Sequence, residues 1–108
     1  MIILLFWLIV GHAVADFALQ PDVMAKGKNR HNRTDQPCWM YWLSAHALIH
    51  GGAVALATGI WWLGVAETVW HWGIDFGKCD NVIDVHIDQA LHLFCKMLWW
   101  VIAVWMLT

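Results

Sequence analysis

Residues 1–20 read MIILLFWLIVGHAVADFALQ, an apolar run that acquires polar side chains only in its second half. Its length matches the roughly 20 residues a helix needs to cross the ~30 Å hydrocarbon core of a bilayer. Met1–Val10 resembles the apolar region of a signal peptide, yet no basic segment precedes it and no convincing small-x-small cleavage site follows it. The polar pattern of Gly11–Gln20 would be wasted on a discarded peptide, so the run is read as a retained membrane helix that stops at Pro21. His12, Asp16 and Gln20 recur at every fourth position, which places them on one helical face over about 12 Å. A wet helix end accounts for Gln20, less well for Asp16 and poorly for His12.

The same spacing returns three more times, in His46/His50, His71/Asp75 and Asp88/His92, each inside a hydrophobic segment that can be read as a helix. A charge or imidazole buried in lipid or protein is costly without a partner. Eight such side chains therefore ask for one explanation, and a polar centre inside a helical bundle is the simplest. Singly, each pair has a plainer reading: His46 and His50 as hydrogen-bonded core histidines, Asp88 and His92 as the polar face of a helix lying on a membrane.

Composition supports the membrane reading. The chain has 108 residues, 61% hydrophobic and 13% charged, with ten tryptophans and a mean hydropathy of +0.57; the charged share is about half that of an ordinary soluble domain. The expected fold is all-α: one integral membrane domain over residues 1–108, an antiparallel four-helix bundle. Its segments are Met1–Gln20, about Cys38 or Tyr41 to Ile60, a short third helix Trp61–Phe76, and Val82–Thr108, with a turn at Gly77–Asn81. Asp22–Pro37 reads as a polar, helix-poor loop carrying Lys26, Lys28, Arg30 and Arg33. The positive-inside bias makes that loop cytoplasmic and both termini external. All four pairs then fall in the cytoplasmic half of the membrane, at one depth. Cys38, Cys79 and Cys95 have no paired spacing and imply no disulfide framework.

Pairs of polar side chains on facing helices are how bundle metal sites are built. The candidate ligands are His12, Asp16, His46, His50, His71, Asp75, Asp88 and His92, and a mixed His/Asp set suits Zn, Mn or Fe rather than calcium or cuprous copper. Ligands in excess of four allow a second metal, supporting partners, or a general base, for which Asp16, Asp75 and Asp88 are the candidates. Residue 47 is Ala, so the glutamate of a zincin motif is missing, and Ser44 faces the wrong way to pair with His46. No phosphate-binding glycine loop or dinucleotide motif is present. Glu67 reads as lying outside the centre, His31 and His86 as solvated, and Gln89 as able to orient a ligand or water.

The blocks GHAVADFALQPDVMAKGK (11–28), SAHALIHG (44–51), HWGIDFGK (71–78) and HIDQALHL (86–93), in this order, resemble the DUF3307 family of small bacterial and phage membrane proteins. The resemblance implies a multi-pass protein of the bacterial inner membrane and strengthens the candidate site, but brings no established activity. A weaker similarity, in general look, is to small membrane-bound metal-dependent hydrolases. The leading expectation is cleavage of a lipid-like or phosphoester substrate by a metal-activated water, the basic loop attracting an anionic headgroup. The alternatives are a small accessory or structural subunit of a membrane complex, and ion or proton translocation; haem clamped between imidazoles ranks below these. Expected partners are membrane lipids, with a membrane complex or homo-oligomer, and no nucleic acid.

Overall fold

The computed structural model of the protein describes residues 1–31 and 39–108; Arg33, Pro37 and Cys38 lie outside the described residues. The described chain is helical and contains no strand. Helix α1 spans Ile2–Ala13 and runs into a wider π-helical turn, Val14–Ala18; α2 is Asp22–Gly27, α3 Trp39–Thr58, α4 Trp61–Cys79 and α5 Val85–Leu107.

The ends of these helices follow from local chemistry. In the π turn the Leu19 amide reaches the Val14 carbonyl at 2.8 Å, five residues back. Pro21 has no amide hydrogen to lose and opens α2, so the segment expected to be helix-poor begins with a short helix. The third long helix runs past Phe76 to Cys79, longer than expected: Gly77 does not break it, and it ends where Asn81 takes φ +61°. Asp84 caps α5, its carboxylate accepting from the Ile87 amide at 2.8 Å.

α3 packs against α1 and α4, and α5 against α4 and α1, closing a ring of four helices with α2 laid on α3. Neighbours run antiparallel: Ser44 meets Trp72 while Gly51 meets Gly64, and Glu67 meets Lys96 while Lys78 meets Asp88. The α3–α4 contact is close because both helices present glycine there. A Cβ on Gly64 would stand 2.7 Å from the Gly51 carbonyl oxygen and 2.9 Å from Ala55 Cβ.

Burial is inverted relative to a water-soluble bundle. Phe17, Leu56, Trp61, Phe94 and Trp105 are exposed, as are many other large apolar side chains, whereas His46, His50, His71, Asp75 and Asp88 are completely buried. One half of the interior is apolar, built around Leu8, Val54, Leu63, Trp99 and Ala103; the other half is polar. Among the described residues one helix, α5, is long and apolar enough by itself to cross a membrane.

Candidate metal centre

The ring of helices turns all four spaced pairs inward, and all eight side chains are buried. α3 supplies His46 and His50 one turn apart. The π turn supplies Asp16: its Oδ1 lies 3.4 Å from His46 Nε2 and 3.3 Å from His50 Nε2. An extra residue in a helical turn rotates every following side chain, and such turns recur at functional sites. Here it carries Asp16 toward α3, leaving His12 Nε2 3.9 Å from Asp16. Gln20, next in the period, turns back and donates to the Asp16 carbonyl at 2.9 Å.

α4 supplies His71 and Asp75. Asp75 Oδ2 is 3.3 Å from His46 Nε2 and 3.5 Å from His71 Nε2. α5 supplies Asp88, which bonds its own His92 at 3.1 Å. Gln89 ties the rim together, its Oε1 3.1 Å from His12 Nε2 and its amide donating to Asp16 Oδ2 at 2.9 Å and Asp88 Oδ2 at 3.2 Å. The imidazoles crowd face to face, with ring centres 3.6 Å apart for His50/His71 and 4.2 Å for His71/His92.

The hydrogen-bond account of this cluster is incomplete. Both ring nitrogens of His46, His50 and His71 are buried without a hydrogen-bond partner among the described residues, as is Asp75 Oδ1. Unsatisfied buried polar atoms are rare in folded proteins and require explanation. Asp16, His46, His50 and His71 each offer a ligand atom within 4.8 Å of the others, and Asp75, Asp88 and His92 form a second such group. The nitrogen–oxygen separations of 3.3–3.4 Å about Asp16 match the edge of a tetrahedron about an ion with bonds of about 2.0–2.1 Å. The donors could therefore hold a metal ion.

Three lysines enter the same interior, and two residues there, Lys28 and Glu67, were expected elsewhere. Lys28, expected in a solvated loop, is buried and donates to Asp75 Oδ2 at 2.6 Å. Gly27 lets α2 settle under the Trp42 ring, which brings Lys28 to the centre. Glu67, expected outside the site, is buried one turn from His71; Lys96 and Trp99 donate to its two oxygens, Trp99 at 2.6 Å. Lys78 is partly exposed, 3.7 Å from Asp75 and 3.8 Å from Asp88. A charge count could have found Lys28. Four carboxylates (Asp16, Glu67, Asp75, Asp88) in apolar segments face only Lys78 and Lys96 there, and low dielectric favours further compensation.

His31 and His86 are exposed. His31 joins Arg30 on Asp80 at the surface: Arg30 donates twice, at 2.9 and 2.7 Å, and His31 Nε2 stands 2.9 Å away. The Arg30 guanidinium hydrogen bonds hold the Asp80 carboxyl below its ordinary value of 3.8.

No curated protein and no solved structure matches the chain. A family model described as "Protein of unknown function (DUF3307)" matches residues 4–108, nearly the whole length and a span that includes all four pairs. The protein belongs to the DUF3307 family.

Proposed function

We propose that this protein is a multi-pass inner-membrane hydrolase that holds a divalent metal on Asp16, His46, His50 and His71 and cleaves a phosphoester in a lipid-like substrate. The observation that carries this reading is that the buried ring nitrogens of His46, His50 and His71 have no hydrogen bonds among the described residues, with one ligand atom from each ring within 4.8 Å of one on Asp16. The four carboxylates outnumber the three lysine ammonium groups around them, leaving room for added positive charge. Zn, Mn and Fe are the metals such donors accept.

Embedding in a bilayer is supported by the inverted burial: charged side chains inside, large apolar ones outside on every long helix. In this proposal all four long helices lie in the membrane, and the loop carrying Lys26 and Arg30 faces the cytoplasm. α3 and α4 carry their polar groups inward, which lowers their mean hydropathy without wetting their lipid-facing sides.

A divalent ion with an open coordination position supplies a water acidified toward neutral pH. The chain's own groups do the remainder. Asp75 Oδ2 is occupied by Lys28, while Oδ1 is open to receive the proton of the attacking water. Asp88 and Gln89 hold His92 and His12 in place. Lys78, the partly exposed cation beside Asp75 and Asp88, would attract an anionic phosphoryl oxygen.

A proton relay is the second reading. It is favoured by His71, whose nitrogens face Glu67 at 3.6 Å and Asp75 at 3.5 Å. The apolar packing of Leu8, Val54 and Leu63 in the other half of the bundle favours a blind site over a path across the membrane.

Metal per protein, measured by elemental mass spectrometry on detergent-purified protein, tests the proposal alongside chelator-sensitive hydrolysis of lipid phosphoesters. About one or two ions per chain with such hydrolysis is expected. Protein that folds and stays metal-free in metal-replete medium removes the hydrolase reading and leaves the relay. Metal without hydrolysis favours the accessory-subunit role.

A further inference from the structure

Glu67 lies beside the proposed ligands, one helical turn from His71 on α4. Each of its oxygens accepts a hydrogen bond: Lys96 donates to Oε1 and Trp99 to Oε2. A buried pair of this kind gains little over apolar side chains of the same volume, so charge balance alone is a weak reason for it. Its geometry supplies a better one. His71 Nδ1 faces Glu67 Oε1 at 3.6 Å, Nε2 faces the centre, where Asp75 Oδ2 at 3.5 Å already accepts from Lys28, and stacking on His50 and His92 fixes the ring plane. What stacking leaves free is a flip of the ring and the choice of tautomer. A carboxylate held on the Nδ1 side favours the proton on Nδ1 and leaves the Nε2 lone pair for the centre, the role that carboxylates behind metal-binding histidines serve.

We propose that Glu67, clamped by Lys96 and Trp99, is a positioning residue that sets the tautomer and orientation of His71. The proposal rests on the metal-centre reading for its purpose, but its physical content can be measured without metal. Nitrogen-15 NMR of histidine-labelled protein in detergent micelles, with His71 assigned by His71→Asn, reads the tautomer directly. Wild-type metal-free protein is expected to carry the His71 proton on Nδ1. A proton on Nε2 overturns the proposal.

The paired change Glu67→Met with Lys96→Met removes both buried charges together and so avoids stranding either one. It is expected to mix the His71 tautomers and to weaken zinc binding, measured by competition with a chromophoric chelator, by about 10–100-fold. A paired variant with the wild-type tautomer and wild-type zinc affinity overturns the proposal and makes the pair purely structural. Wild-type protein that binds no zinc but shows the Nδ1 tautomer counts against the metal reading and leaves the positioning intact.

Discussion

Lys28 and Arg30 stand two residues apart, and each holds an aspartate on α4 or its cap. The Lys28–Asp75 pair is sealed inside, both side chains at most 3% exposed, whereas the Arg30 side chain is 46% exposed over Asp80. Both sites also recruit histidine: His46 and His71 at the buried aspartate, His31 at the exposed one. The surface trio has its hydrogen bonds and can draw on water as well; the buried site has ring nitrogens that nothing in the described chain satisfies. A cation, an aspartate and histidine thus make a surface latch in one place and part of a ligand set in the other. The difference is access to solvent, which controls both the cost of a lost partner and the value of an added cation.

The sharpest way to break this contrast is to remove each cation. Lys28→Met leaves Asp75 short of its closest partner and is expected to cost about 3–5 kcal/mol, measured by denaturant unfolding in detergent. Arg30→Ala is expected to be far milder, because Asp80 lies at the surface, where His31 stays beside it and water reaches it. Equal losses would contradict the difference in burial.

Next in size is the ligand test. His50→Ala is expected to weaken metal binding by more than the about 10–100-fold typical of losing a supporting partner, while exposed His86→Ala leaves metal content unchanged. A smaller effect is expected from Gly64→Ala, which presses on the Gly51 carbonyl in the α3–α4 contact without removing a proposed ligand; overpacking of this sort costs about 1–3 kcal/mol. Metal content that survives the thermal destabilisation would separate helix packing from ligation.

The smallest effect concerns pH. Because Arg30 lowers the Asp80 carboxyl below 3.8 in the folded chain, the latch contributes stability above that value and loses it as pH falls through the lowered one. Comparing wild type with Asp80→Asn removes the background of other acids. The two are expected to converge in stability as the solution is acidified, and a constant gap would show that Asp80 acts without its charge.

Much of the site was legible because period and polarity speak together. A pair four residues apart in an apolar segment has one face to occupy and a strong reason to occupy it inward, so His46, His50, His71, Asp75, Asp88 and His92 could be grouped before any packing was known. Glu67 and Lys96 carried the same signal, at one further step along the α4 and α5 stripes, but the assumption of a single depth for the centre set them apart. Lys28 was less visible, since a lysine in a polar, glycine-containing stretch ordinarily meets water.

Sequence alone determined the helical class and the set of polar side chains too costly to bury without partners, because these depend on side-chain chemistry repeated at the helical period. The family match spans residues 4–108, which contain those side chains. Only the tertiary structure decided that Asp16 swings to α3 on a π turn, that Lys28 closes over Asp75, and that Glu67 stands behind His71. Those placements depend on how far each helix is rotated against its neighbours and on where a short helix docks. Both are set by contacts between segments distant in sequence, which no local spacing records.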